Sequence, residues 1–391
     1  MSSPDPKHTM THTDPIRVAC IVGARPNFMK MAPILKVFRE HGGFAARLIH
    51  TGQHYDVEMN AVFFQQLGLP EPDLNLEVGS GTQTEQTARI MMKLEQAFKA
   101  QRPDLVLLVG DVNSTLAAVL VAAKLRIPVA HVEAGLRSFD LDMPEEINRL
   151  VTDRLSDLLL TTERAAEAQL RSEGIAATAI HFVGNVMIDT VFANLEKAVP
   201  VAETLAARGS DAEIARTVAA RYALVTLHRP SNVDDPQQLG GLLSVLAALS
   251  ERIPIVFTMH PRTRARIEAA GLTGLVDRPG FFAVPPLSYF EMLGATRDAT
   301  IVVTDSGGLQ EETTVLGVPC LTVRNNTERP ITIDEGTNTL VGSAPSALEK
   351  ALATALSADR RSGKIPELWD GHAAERIVGV IEAYFAAKQN E

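Results

Sequence analysis

One pattern constrains this chain more than any other, and it occurs twice: a short apolar run rich in β-branched residues, a polar turn containing glycine, then apolar residues at helical spacing. Residues 16–22 form the first run, followed by the turn Gly23-Ala24-Arg25-Pro26-Asn27 and a helical pattern over 28–39. Residues 47–51, 105–109, 127–132 and 158–162 continue as strands, with helices expected over 82–99 and 114–125. A second series has strands at 222–227, 253–259, 300–304 and 319–323, helices at 236–250 and 308–315, and a closing helix over 372–387. Strands that are apolar throughout need cover on both faces, which predicts parallel sheets sandwiched by helices. The fold class is therefore α/β, as two β/α domains with a cleft between them.

The 391 residues have room for two domains of ordinary size, and 46% apolar content can fill both cores. The expected division is a flexible tail over 1–15, an N-terminal domain over 16–198 and a C-terminal domain over 199–369. The boundary lies near 199–217, and a helix within 370–391 packs back on the first domain. Lys plus Arg total 37 and Asp plus Glu 47, a net charge of −10. That balance argues against nucleic-acid binding while allowing a local cationic pocket for a small anion. Cys20 and Cys320 have no C-x-x-C partner and read as core residues in a reducing compartment. His8 and His12 lack further ligands, so no metal is expected. The first residues are polar without signal-peptide anatomy, and no run of eighteen apolar residues occurs, which predicts no membrane insertion and a cytoplasmic protein.

In open parallel sheets ligands bind beyond the carboxyl ends of strands, so residues following each strand carry the functional information. After the first strand, Arg25 and Lys30 stand at a strand–helix junction suited to clamping an anion. This turn is neither a dinucleotide fingerprint nor a Walker A loop. Thr51-Gly52-Gln53-His54 follows the second strand, and Asp111 follows the third, as a helix cap or a site carboxylate. His131-Val132-Glu133-Ala134-Gly135-Leu136-Arg137 and Pro144-Glu145-Glu146-Ile147-Asn148-Arg149 make the densest ionisable patch. Glu146, three residues before Arg149, reads as a solvated helix start, whereas Glu133 follows a buried strand. Several carboxylates converging on one cleft supply candidates for acid and base.

In the second series, His228 and Arg229 end a strand, and Thr304-Asp305-Ser306-Gly307-Gly308-Leu309-Gln310-Glu311-Glu312 runs from strand through a small-residue turn into a helix. Free N–H groups at that helix start can cradle phosphate, with the Ser306 hydroxyl beside them. Glu311 and Glu312 can hold a sugar hydroxyl or ribose, and Arg324 and Arg329 add cations. A phosphate cradle on one domain and clustered carboxylates on the other suit a nucleoside diphosphate-sugar.

The ordered segments GARPNFMKMAP, HVEAGLRS, PEEINR, TLHRPSN, TDSGGLQEE and TERP resemble the non-hydrolysing UDP-N-acetylglucosamine 2-epimerase family from Arg17 to about Gly342. The resemblance implies two Rossmann-type domains in the manner of GT-B glycosyltransferases, a homodimer, and interconversion of UDP-GlcNAc and UDP-ManNAc for cell-surface polysaccharide synthesis. It implies no cofactor and no metal. The chemistry implied is elimination of UDP to give 2-acetamidoglucal, then re-addition after the proton returns to C2 on the opposite face. Asp111, Glu133 and Glu145 match the family's proton-transfer carboxylates, and His228 a catalytically important histidine near the phosphates. Arg25, Lys30, His54, Arg149, Arg229 and Arg329 are implied around the substrate. Ser306, Gly307 and Gly308 are implied at phosphate and Glu312 at the ribose. The uracil pocket is expected near Met292, Tyr289 and Phe290. Alternatives are a related 2,3-diacetamido UDP-sugar or its uronic acid, a hydrolysing epimerase, a GT-B glycosyltransferase and, outside catalysis, a UDP-sugar sensor.

Overall fold

The computed structural model describes residues 14–52, 64, 66–357 and 363–389. Gln53 and His54 lie outside these residues, as does nearly all of the N-terminal tail. The first sheet has seven strands in the order β3-β2-β1-β4-β5-β6-β7: β1 Ile16–Val22, β2 Phe44–His50, β3 Leu74–Asn75, β4 Leu105–Val109, β5 Val129–Ala134, β6 Leu158–Thr161 and β7 Ile180–Phe182. The second has six in the order β10-β9-β8-β11-β12-β13: β8 Ala223–Thr226, β9 Ile255–Thr258, β10 Phe281–Val284, β11 Ile301–Thr304, β12 Cys320–Thr322 and β13 Asn338–Leu340. Every pairing is parallel.

The strand interiors explain the continuous apolar runs. In β4, Leu105, Leu107 and Val109 point to one helical layer while Val106 and Leu108 point to the other. In the second sheet Val225, Phe257 and Val303 face one layer, and Leu224, Val256 and Val302 the opposite one. Alternation across the pleat thus buries both faces.

Sequence periodicity misses β3, β7, β10 and β13. All are short strands away from the sheet centres, and β3 and β13 carry polar residues, so no long apolar run marks them. The segment around 199–217 contains helices Val201–Ala207 and Ala212–Ala220, whose Val201, Leu205, Ala215 and Val218 pack on the second sheet.

The chain returns to the first domain at its end. Helix Ala373–Gln389 buries Ile377, Val378, Ile381 and Phe385 in the core beneath β1 and β4. Its start is held by Asp189, which accepts from the amides of Ala373 at 3.1 Å and Ala374 at 2.7 Å. Trp369 donates its indole N–H to the Thr162 carbonyl at 3.0 Å and packs with Ile188, Tyr289, Leu293 and Val315 where the domains meet. Pro33 lies inside helix Arg25–His41 and cannot donate to the Met29 carbonyl. The Thr190 hydroxyl takes that carbonyl at 2.6 Å, tying this helix to Val186–Asn194. Among the described residues no helix is long and apolar enough to cross a membrane.

Candidate active site in the interdomain cleft

A cavity of about 520 Å³ separates the strand ends of the two sheets. The first domain contributes Lys30, Asp111, Glu145 and Arg149 to its wall. The second contributes His228, Arg229, Ser306, Gly307, Gly308, Glu311, Glu312, Glu328 and Arg329. Arg25 opens the helix that carries Lys30.

Asn27 shapes the turn after β1. Its side-chain oxygen accepts from the amides of Gly23 at 3.2 Å and Ala24 at 3.1 Å, and its amide donates to the Val109 carbonyl at 2.9 Å. This locks the ends of β1 and β4 together and aims Lys30 inward, where it pairs with Glu133.

Glu133 is placed differently from the expectation that it follows its strand. It lies within β5, at a register shift between Val132 and Ala134, with φ of +71°. A left-handed conformation at a non-glycine residue costs on the order of 1–3 kcal/mol and persists only where its surroundings enforce it. Here the bulge turns the carboxylate between two cations, Lys30 and Arg329, the latter donating from Nη2 at 2.8 Å. Burial pushes the Glu133 carboxyl pKa up, but Lys30 and Arg329 outweigh it and the net shift is downward. Glu133 therefore sits as a carboxylate behind Lys30 and Arg329 rather than on the open wall.

Glu146 and Arg149 are not a solvated pair: both are buried. Glu146 accepts from the amides of Ser138 at 2.9 Å and Phe139 at 3.0 Å, and from Arg149 Nη2 at 2.6 Å. Burial raises its pKa, yet these donors hold it below the ordinary value. Folding the 138–139 loop over the helix start removes water from a face that would otherwise be wet. Arg149 extends its other arm to Asp111 at 2.5 Å, and Asn148 donates to the Asp111 carbonyl at 2.8 Å. Asp111, Glu145 and Arg149 thus share one wall.

On the opposite wall the buried Asp305 organises the residues after β8. It accepts from the Arg229 amide at 2.9 Å and Asn232 Nδ2 at 3.1 Å, and lies 2.9 Å from His228 Nδ1. Burial raises its pKa, but His228 and these donors bring it below the ordinary value. Helix Gly307–Leu316 begins at the cavity and presents unpaired amides there. Gly307 is required by close approach: a Cβ would stand 2.8 Å from Glu328 Oε1 and 2.9 Å from Arg329 Nη1.

Arg329 links the walls. Besides Glu133 it pairs with Glu328 and lies 2.9 Å from Glu311 Oε1. Burial opposes its charge, but Glu311, Glu328 and Glu133 hold its pKa well above the ordinary value. Asn185 of the first domain donates to Glu311 at 2.9 Å, a second tie across the seam. Burial and then Glu311 push Glu312 up to about 8. Glu163 is likewise pushed up to about 8, by burial first and then Glu311.

Glu311, offered by the sequence as a ligand for a sugar hydroxyl or ribose, instead lies against Arg329 and Asn185. Glu328 is missed by the sequence reading, although it stands inside the TERP motif beside Arg329. Leu287, Tyr289 and Met292 line an apolar part of the cavity, whereas Phe290 is not on its wall.

The sequence profile of the family described as UDP-N-acetylglucosamine 2-epimerase matches residues 36–382. A UDP-N-acetylglucosamine 2-epimerase of Methanococcus maripaludis is 38% identical over 371 residues, covering 93% of this chain and 98% of that protein. A UDP-2,3-diacetamido-2,3-dideoxy-D-glucuronate 2-epimerase of Pseudomonas aeruginosa is 38% identical over 344 residues, covering 87% and 92%. The crystal structure of the Methanocaldococcus jannaschii UDP-GlcNAc 2-epimerase in complex with UDP-GlcNAc and UDP superposes with a TM-score of 0.83 at 38% identity, covering 94% of this chain and 100% of that one. With its matching pair of Rossmann-like domains, the chain belongs to the UDP-N-acetylglucosamine 2-epimerase family.

Proposed function

We propose that this protein interconverts UDP-GlcNAc and UDP-ManNAc without net hydrolysis. The observation that carries this reading is the cavity with a phosphate-type helix start on one wall and Asp111 and Glu145 on the other, with Glu133 behind. The C2 proton of the sugar is not next to a carbonyl, so direct removal is costly. Elimination avoids this: a carboxylate takes the C2 proton, the C1–O bond breaks, and UDP leaves with the electron pair. The 2-acetamidoglucal then regains a proton on the other face of C2 as UDP re-adds at C1. No redox cofactor enters this balance.

In this reading Asp111, Glu133 and Glu145 move the proton. Ser306, Gly307 and Gly308 take the diphosphate, with His228, Arg229, Arg25 and Lys30 neutralising its charge. Glu312 binds the ribose, while Arg149 and Arg329 hold the carboxylates in place. His54 belongs to the same proposed substrate set. A cytoplasmic homodimer feeding cell-surface polysaccharide synthesis completes the proposal.

The test is proton NMR of the protein with UDP-GlcNAc in deuterated buffer, without NAD or metal. Appearance of UDP-ManNAc with deuterium at C2 supports the reading. Free ManNAc plus UDP replaces it with the hydrolysing reaction. An unchanged spectrum sinks it and moves the experiment to the diacetamido uronic-acid nucleotide, favoured by the Pseudomonas aeruginosa relative, also 38% identical though over a shorter span.

A further inference from the structure

Behind the cavity lies a buried polar chain that touches none of the proposed substrate positions. His131, on β5, is fully buried two residues before Glu133. Its Nδ1 is 2.7 Å from Asp153 Oδ1 and its Nε2 is 2.8 Å from the Gly110 carbonyl oxygen. Both ring nitrogens thus face acceptor oxygens, and the ring bridges a carboxylate on one side and a backbone carbonyl on the other. Asp153 Oδ2 accepts from the Gly135 amide at 3.0 Å and lies 2.7 Å from Arg137 Nη1. Arg137 is held in turn by Glu173 at 2.8 and 2.7 Å.

The ends of this chain matter more than its middle. Gly110 is the residue before Asp111, and Gly135 follows directly on the register shift at which Glu133 takes its left-handed conformation. Asp153 belongs to the helix Pro144–Leu155 that carries Glu145 and Arg149. One imidazole and one carboxylate therefore join the three backbone segments that present Asp111, Glu133 and Glu145. A strained residue keeps its geometry only if its neighbours over-determine it, and buried networks do so when every member is satisfied.

We propose that His131 is a positioning residue for the reaction: by bridging Asp153 and the Gly110 carbonyl, it fixes the turn bearing Asp111 and the strand end bearing Glu133 relative to each other. It does not touch substrate. The proposal rests on the epimerase reading for its kinetic consequence, but its geometric consequence is independent of which sugar is bound.

The test uses the full chain with His131→Asn and His131→Gln. Asparagine can donate to Asp153 but is too short for Gly110, whereas glutamine can extend an amide N–H toward the carbonyl. For His131→Asn, kcat with UDP-GlcNAc should fall on the order of 100-fold, as misplacing reacting groups by about 1 Å does. Deuterium entry at C2 should slow equally, and affinity for UDP alone should stay within about twofold, since the opposite wall is untouched. His131→Gln should recover part of kcat. Hydrogen exchange of peptides containing Gly110 and Gly135 should quicken in His131→Asn whatever the substrate. Unchanged exchange there overturns the proposal, as does kcat within about threefold of the parent. Loss of UDP binding and melting temperature together in both variants also overturns it, in favour of a purely structural role. An inactive parent with quickened exchange in the variant overturns the epimerase reading and leaves the positioning proposal standing.

Discussion

Arg329 of the second domain reaches Glu133 of the first at 2.8 Å, so a carboxylate held in a left-handed backbone conformation is clamped by a cation from across the cleft. Glu133→Gln leaves Lys30 and Arg329 facing a neutral amide. We expect kcat to fall by about 100-fold or more, in line with loss of a proton-transfer group. Stability should drop by about 3–5 kcal/mol, as when a buried pair loses one partner. Arg329→Lys keeps the charge but not the planar fork that serves Glu133, Glu311 and Glu328, so activity should not be rescued. Steady-state kinetics and urea unfolding of both variants check this; full activity in Arg329→Lys would refute the clamp.

Glu163 gives a pH prediction. Its carboxyl is pushed from the ordinary 4.5 up to about 8 by burial and by Glu311. The folded state then holds this proton more tightly than the unfolded chain. The contribution to stability is full below about 4.5 and is lost as pH rises toward 8. Glu163→Gln has no proton to lose, so its stability relative to the parent should climb across that window by several kcal/mol, at about 1.4 per pH unit. Urea unfolding at pH 5 and pH 8 measures it. A stability difference independent of pH counts against the buried, protonated state.

Gly308 isolates the phosphate cradle from the protein around it. A Cβ there would point into open space, with nothing within 4 Å beyond its chain neighbours and the backbone of its own helix. Gly308→Ala should therefore melt like the parent yet bind UDP at least about tenfold more weakly, a loss of about 1.4 kcal/mol. Gly307→Ala should also disturb catalysis, because its Cβ displaces Glu328 and Arg329. Calorimetric titration with UDP separates the two; parent-like affinity in Gly308→Ala would place the diphosphate elsewhere.

Trp369 is the single tryptophan of the chain and is buried where both domains meet. Trp369→Ala should cost about 3–5 kcal/mol through the cavity it leaves. In the parent, the same residue should shift its emission when UDP titration moves one domain against the other. A constant spectrum through saturation would mean that the seam does not move on binding.

Much of this protein is legible locally. The central strands β1, β4, β8 and β11 announce themselves because burial on both faces demands apolar residues throughout. The strand-end motifs point to the cavity because parallel sheets expose ligand sites only there. The fully buried His131–Asp153 pair escapes such reading, since nothing in HVEAGLRS says which oxygen its imidazole will meet. Glu146 misleads for the same reason: a helix-start Glu with an Arg three residues on is usually wet, and only the fold of residues 138–139 over it removes the water.

By itself the sequence determined the two β/α series, the family and the chemistry available at each strand end, because those depend on periodicity and local residue order. Only the tertiary structure decided that Glu133 stands strained and covered, that Glu328 joins the site, and that Glu311 meets Arg329 and Asn185 there. Lys30 and Glu133 are 103 residues apart, and Arg329 and Glu133 are 196 apart. Whether such groups meet, and whether their charges are buried together or left in water, is set by the order of strands within a sheet for the first pair and by how two sheets pack across a seam for the second, which no local pattern encodes.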